Sequence, residues 1–413
     1  MVLANWAGNL QYRAAERVAP RSSDELRDVI RRSESIKALG TRHSFSDVAD
    51  TTGTHVSLEH FDQIEEPHDN QVTVGAGMRY GELCRFLHAR GLAVHNLASL
   101  PHISVAGAVA TATHGSGDGN GNLATAVRAV EMVTGDGTVH TIARGDPDFD
   151  GVVVSLGALG VVTKLTLDVV PAFAVEQRVS LDLPLTALDD HFAAIFSSAY
   201  SASLFTDWRG PRINQVWMKR RTSDPESFDL TRLGTTPATS DVHPIATMSA
   251  ENCTKQVGVP GPWHERLPHF RLEFTPSAGE ELQSEYFVPR ERAVEAIRAI
   301  DSIGREIAPR LLISEIRSIA ADELWLSPHY RRASVGIHFT WKKDWANVGR
   351  LLPVIEKKLA PFDPRPHWGK LFAMRSKQIQ PKYERLNDFR RLLDEFDPQR
   401  KFRNAFLDER IFS

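Results

Sequence analysis

The stretch from Ser104 to Gly117 constrains this chain most. It reads Ser-Val-Ala-Gly-Ala-Val-Ala-Thr-Ala-Thr-His-Gly-Ser-Gly, and besides His114 no side chain in it is larger than valine. Such a run fills a core poorly, because protein interiors are packed as densely as organic crystals. It can instead let backbone lie flat against a large ligand while offering N–H and O–H groups. Two nearby segments share this character. One is Gly40-Thr41-Arg42-His43-Ser44-Phe45-Ser46-Asp47, which follows a short apolar run. The other is Ser155-Leu-Gly157-Ala-Leu-Gly160-Val161-Val162-Thr163. One such loop is explained by tight helix–strand packing, or by a strand-to-loop turn with a surface histidine. Three in one region favour a bound cofactor. The first loop lacks the Gly-Lys-Ser/Thr ending of a Walker loop and the Gly-x-Gly-x-x-Gly dinucleotide fingerprint.

The texture of the chain changes along its length. From about Val18 to Val170 short β-rich runs alternate with helical patterns and many glycines. Ser23-Asp24-Glu25-Leu26 caps and opens a helix, with Leu26, Val29 and Ile30 on one face. Ile36–Leu39, Thr54–Leu58, Gln71–Val74 and Val161–Val169 read as strands, and Tyr80–Arg90 as a helix stopped by Gly91. Val130–Thr134 and Thr138–Ile142 flank Gly135-Asp136-Gly137, a hairpin signal. From about Pro171 to Ala360 longer strands (Ser284–Val288, Leu311–Ile319, Ala333–Thr340) alternate with helices (Glu291–Ile300, Trp345–Leu359). Arg221–Ile245 reads as a long surface loop. A basic, aromatic turn and a helix over Tyr383–Phe396 close the chain. The expected fold is α+β: a glycine-rich cofactor lobe over 1–172, a mixed sheet-and-helix lobe over 173–360 that covers it, and a segment 361–413 that returns to the first lobe.

Composition excludes several roles. The formal net charge is -3 and the pI about 6.6, so no large basic field is available for nucleic acid. Two lone cysteines, Cys84 and Cys253, form no metal-ligand spacing and fit a reducing, cytoplasmic setting. The N-terminus lacks the parts of a signal peptide. The longest apolar run, Gly151–Val162, is too short to span a bilayer. The 16 histidines contain no His-Glu-x-x-His pattern, which argues against a zinc hydrolase. No heptad or apolar surface stripe appears, so a monomer is expected.

His43 in a Gly-x-x-His-Ser-Phe context, Ile103-Ser-Val-Ala-Gly107 with Thr113-His-Gly115, Gly157-x-x-Gly-Val-Val-Thr163, and a C-terminal Phe396-Asp-Pro398 with Lys401-Phe-x-Asn404 together resemble the vanillyl-alcohol oxidase-type FAD superfamily. Ser203–Trp208, Val259–Phe270 and Arg365–Lys370 extend the likeness, which is closest to the alditol oxidases, over nearly the entire chain. The resemblance implies a two-lobed FAD-binding domain of the PCMH type with a substrate cap. It implies FAD bonded to His43 and held by Gly40, Thr41, Arg42 and Ser44. Ser104, Gly107, Thr111, Ala112, Thr113 and His114 would line the other side, with Val162 at the adenine end. Ala98, beside the flavin, would affect oxygen access.

The second lobe is expected to supply the substrate pocket. Glu315-Ile-Arg317 lies on a strand, so both side chains point to one face. His338 and Thr340 repeat this spacing, Lys370 follows in a Trp-Gly-Lys turn, and Gln283 starts another strand. A lone Glu-x-Arg is ordinarily a surface ion pair; two polar pairs and a lysine converging on one pocket are not. The resemblance implies a polyol (xylitol, sorbitol) oxidised at its terminal hydroxyl, with O2 reduced to H2O2. The hydroxyl would bond Glu315 and Lys370, Arg317 would hold Glu315, and Ser99 and Thr340 would hold the polyol chain. Positive charge for the reduced flavin would come from His367 or Lys370. A sugar-lactone oxidase or dehydrogenase on the same fold is the alternative.

Overall fold

Residues 3–273 and 281–412 are described by a computed structural model of the chain. In the first third, the apolar stripe of Leu26 and Ile30 drives helix Ser23–Arg32 onto a three-stranded parallel sheet. That sheet runs in the order Glu16–Val18, Thr54–Ser57, Ile36–Leu39. The helix begins one residue differently from expectation. Ser22, with extended backbone, is the cap, and its hydroxyl accepts from the Glu25 N–H at 3.2 Å. The Glu25 carboxylate reaches back to the Arg21 N–H, so the reciprocal pair is set by Glu25 rather than by Ser23.

A four-stranded antiparallel sheet follows, in the order Gln71–Gly75, Val161–Asp168, Val127–Val133, Val139–Ala143. Its last two strands form the expected hairpin, with Val133 opposite Val139. The helix Tyr80–His88 buries Leu83 and Leu87.

The remainder is built on a nine-stranded antiparallel sheet. Its central strands lie in the order Arg212–Arg221, Ser201–Thr206, Leu311–Ile319, Ser334–Lys342, Glu281–Pro289. Ile316, Ile337, Phe339 and Tyr286 face one way and are fully buried. Against that face pack helices Ala187–Ser197, Ala293–Asp301 and Trp345–Leu359. The Tyr286 hydroxyl donates to Glu356 on the last of these at 2.9 Å. The alternate positions point to the other face, toward the three small-residue loops. The loop expected over Arg221–Ile245 contains a short turn, Leu230–Leu233, and a two-residue edge strand, Thr236–Pro237.

The last residues bind the beginning of the chain. Lys401 Nζ donates to the carbonyls of Ile30 and Arg31, which end the first helix. Asn404 Nδ2 donates to the carbonyls of Asp47, Val48 and Asp50. The final long helix runs Leu386–Phe396, shorter than expected, because Tyr383 has extended backbone after the turn Gln380–Lys382. Among the described residues no helix is long and apolar enough to cross a membrane.

Candidate active site

One cavity of about 850 Å³ runs from Lys37 and Gly157 at one end to Glu315 and Lys370 at the other. The first half of its wall is made by the small-residue loops. A side chain added at Gly40 or at Gly107 would come within 2.7 Å of the Ser104 hydroxyl, so backbone approaches backbone there as only glycine permits. The Thr41 hydroxyl accepts from the Ser104 N–H at 3.1 Å and meets His43 Nδ1 at 3.0 Å, joining the first two loops. Arg42 has a left-handed backbone, φ 64°, which turns the chain at His43. The His43 ring stacks on Trp6, with centroids 5.7 Å apart. Burial, then the neighbouring His102 and Arg79, pushes its pKa down to about 4. The ring is therefore neutral at ordinary pH, as a nitrogen nucleophile must be.

Arg17, Lys37, Arg42 and Arg79 also line this half, a field suited to a pyrophosphate. Lys37 is buried and donates to the carbonyls of Leu156 and Gly157, at 3.2 and 3.0 Å. Both of those residues have left-handed backbone, so the lysine clamps the third loop in a shape that side chains disfavour. A long, glycine-smoothed cavity with cationic walls and a neutral histidine fits FAD.

The other half is the polar face of the large sheet. Register puts Glu315 opposite His338, and His338 opposite Glu285. Arg317 lies opposite Gly336, and a side chain at 336 would meet the Glu285 carboxylate at 2.9 Å. Glycine there lets Arg317 reach across to Glu285. The turn that carries Lys370 hangs from the same strand: the His367 N–H donates to the Glu285 carbonyl and the Leu371 N–H to that of Gln283. The Phe45 N–H and the Ser46 hydroxyl donate to the carbonyls of Gly369 and Trp368. This turn therefore bridges the His43 loop to the sheet.

The charges balance in pairs. Glu285, fully buried, meets Lys370 Nζ at 2.5 Å, Arg317 Nη2 at 3.3 Å and His114 Nε2 at 3.2 Å. Burial would raise its pKa, but Lys370, His114 and Arg317 together hold it well below the usual carboxylate range. Glu315 is buried too, and burial likewise opposes its ionisation. Arg317, His269 and His338 outweigh that and keep it strongly depressed. His269 Nε2 meets Glu315 Oε1 at 2.7 Å, and Arg317 Nε lies 3.5 Å from the same oxygen. Oε2 accepts no hydrogen bond from the described residues. His338 Nδ1 lies 2.9 Å from Lys370 Nζ, while its Nε2 meets the Thr340 hydroxyl at 3.0 Å. Burial, then Lys370, lowers His338 to about 4. Two cations thus face two carboxylates, with neutral imidazoles between.

Of the expected residues, Gly40, Thr41, Arg42, His43, Ser44, Ala98 and Ser99 line the cavity, as do Ser104, Gly107, Thr111, Thr113, His114 and Val162. Gln283, Glu315, Arg317, His338, Thr340, His367 and Lys370 complete the wall. Ser99 accepts from Arg317 at 3.3 Å.

Two expectations need correction. Ala112 does not line the cavity; its left-handed backbone, φ 52°, turns the methyl group into the core between Thr111 and Thr113. His367 is the weaker of the two candidates for positive charge: burial and then Lys370 push its pKa well below normal, and its Nδ1 accepts the Gly369 N–H. Arg317 is also shared, since it binds Glu285 and Ser99 as well as Glu315. Glu285, His269, Lys219, Lys37 and Arg79 were not foreseen. For Glu285 there was a signal: it lies two residues from Gln283, on the same face of one strand.

A family model described as FAD binding domain matches residues 14–143, and one described as D-arabinono-1,4-lactone oxidase matches 279–410. An alditol oxidase of Streptomyces sp. is 52% identical over 412 residues, covering 98% of each chain. An L-gulono-1,4-lactone dehydrogenase of Mycobacterium tuberculosis is 29% identical over 98% of each. The crystal structure of cholesterol oxidase from B. sterolicum superposes with a TM-score of 0.78, over 99% of this chain and 96% of that one, at 14% identity. That last likeness is one of fold alone. With FAD-type loops at one end of the cavity and the 52% match running end to end, the chain belongs to the alditol oxidase family of the vanillyl-alcohol oxidase-type flavoproteins.

Proposed function

We propose that this protein is an FAD-dependent alditol oxidase that oxidises the terminal hydroxyl of a polyol such as xylitol or sorbitol to an aldose, with O2 reduced to H2O2. One observation carries this: Glu315, Arg317, His338, Thr340, Gln283 and Lys370 come from separate strands and a turn to one end of the cavity whose other end is built from the FAD loops. A polyol presents a row of hydroxyls, and a site built to pair them rejects analogues that lack them. FAD, when bound, supplies the two-electron acceptor and passes the electrons to dioxygen.

The chain's own residues handle the hydroxyl. Glu315 Oε2 is free to accept the hydrogen of the terminal hydroxyl. Lys370 and Arg317 set positive charge beside that oxygen, which gains negative charge as its proton shifts toward Glu315 and gives that charge up as the C–H bond breaks. Ser99, Gln283 and Thr340 hold the neighbouring hydroxyls. His338 accepts from Lys370 through Nδ1 and aims the ammonium. His43, neutral in its buried setting, is the attachment point of a covalent flavin. In this reading residues 1–172 and 361–413 hold the flavin and 173–360 cap it. Two buried, unpaired cysteines are consistent with a reducing, cytoplasmic setting. Among the described residues the exposed large apolar side chains are few (Val139, Met248, Val257, Val259 and Trp345), which supports a monomer.

The lactone-oxidase family match over 279–410 supports a second reading, a sugar-lactone oxidase or dehydrogenase. Anaerobic mixing decides between them. Polyols should bleach the flavin, and admission of air should then yield peroxide. Bleaching by aldonolactones and not by polyols would reverse the assignment.

A further inference from the structure

A buried row of side chains continues outward from Glu315. His269 Nε2 stands 2.7 Å from Glu315 Oε1, and its Nδ1 stands 3.0 Å from Lys219 Nζ. Both His269 and Lys219 are buried, and Lys219 is only 1% exposed. Lys219 Nζ also meets the carbonyl oxygens of Leu267 at 2.5 Å and Pro268 at 3.1 Å. An ammonium group has three N–H donors and no acceptor, and here three acceptors surround it. Nδ1 must then accept. Burial, and then Lys219, lowers the His269 pKa to about 4, so the ring carries one proton. That proton stands on Nε2, where it donates to Glu315.

Lys219 comes from the strand Arg212–Arg221, two strands away from Glu315. We propose that Lys219 and His269 are positioning residues for Glu315: the lysine fixes the imidazole tautomer, and the imidazole presents an N–H rather than a lone pair to the carboxylate. This rests on the assignment of Glu315 as the acceptor of the polyol hydroxyl. It explains why Oε1 is held by His269 while Oε2 is left for substrate. With the opposite tautomer a lone pair would face the carboxylate, and Glu315 would take up a proton to bridge the two. The other charged or titratable groups facing Glu315 are Arg317 on its own strand, His338 on the neighbouring strand, and Lys370 on the turn beyond. None of them touches His269 Nδ1, so at that nitrogen Lys219 fixes the tautomer, and the ionised Glu315 at Nε2 favours the same one.

The test uses flavin-loaded enzyme with 15N-labelled histidine, in long-range 1H–15N spectra at about pH 6, below the Lys219 pKa of about 7 to which burial lowers it. His269→Gln identifies the His269 signals. The wild-type ring should show the Nε2-protonated pattern, and Lys219→Met should shift it toward Nδ1 protonation. In steady-state kinetics with a polyol, His269→Leu should lower kcat about tenfold to a hundredfold, with KM changed less than about threefold. His269→Gln, whose amide N–H can reach the same oxygen, should recover most of that loss. Lys219→Met should move the acid limb of the kcat profile upward. An Nδ1-protonated ring in the wild type overturns the proposal even if every variant fails to fold. So does a tautomer unmoved by Lys219→Met, or a Gln variant no better than Leu. If the wild type oxidises no polyol, the substrate assignment fails, while the spectra still decide the tautomer.

Discussion

Replacing Glu285 with glutamine keeps the shape of the side chain and removes its charge. Lys370 and Arg317 would then be left as buried cations, at sites where the wild-type carboxylate meets them at 2.5 and 3.3 Å. Removing one partner of a buried ion pair costs about 3–5 kcal/mol. The glutamine oxygen still accepts one hydrogen bond, worth about 1 kcal/mol, and Glu315 remains 3.5 Å from Arg317. A net loss of about 2–4 kcal/mol follows. With a melting entropy of about 2.1 cal/mol/K per residue, the loss lowers Tm by about 2–5 °C in a chain of this length. Thermal unfolding of the flavin-loaded protein at neutral pH measures it.

The pH dependence has a definite sign. The folded-state pKa of Glu285 is depressed, so its stabilisation is fully present above the unfolded value of about 4.3 and is lost as pH falls below that toward the folded value. The gap between wild type and variant should therefore close on acidification below about pH 4.3. The double variant Glu285→Gln/Lys370→Met removes both charges. It should be more stable than the sum of the single losses by at least about 1.5 kcal/mol. A Glu285→Gln protein melting within about 1 °C of wild type, or a strictly additive double variant, would falsify the assignment of Glu285 as the counter-ion that holds Lys370.

Three more outcomes are expected. His43→Ala should abolish co-migration of FAD with the denatured protein. In wild-type apoprotein given FAD, attachment should proceed unchanged down to about pH 5 and fail as the imidazole protonates near its pKa of about 4. Glu315→Gln should lower polyol turnover at least about a hundredfold, with flavin content read by absorbance unchanged. Lys37→Met should leave the carbonyls of Leu156 and Gly157 without their donor, costing about 1–3 kcal/mol and reducing flavin loading in cells.

Much of the site is legible in the sequence. Strand alternation has a period of two, so Glu315 and Arg317 had to share a face. Three small-residue loops in one region favour a large ligand, because such side chains fill a core poorly. Helices such as Trp345–Leu359 followed from periodicity alone. Failures came where a local conformation departs from its neighbours. Ala112 sits in the middle of a ligand-facing run, yet one left-handed residue turns it inward. Ser22 rather than Ser23 caps its helix because its backbone is the extended one.

The sequence by itself determined which side chains could act, and on which face of each strand they stand. Only the tertiary structure decided their partners. Glu285 and Lys370 are 85 residues apart and Lys219 and His269 are 50 apart, and nothing local links either pair. Their meeting depends on strand order and register in the large sheet, where a slip of one residue would turn every side chain of a strand to the opposite face. Burial then made those contacts matter: in a dry interior an unpaired charge is costly, so register also settles which carboxylate stays ionised and which histidine stays neutral.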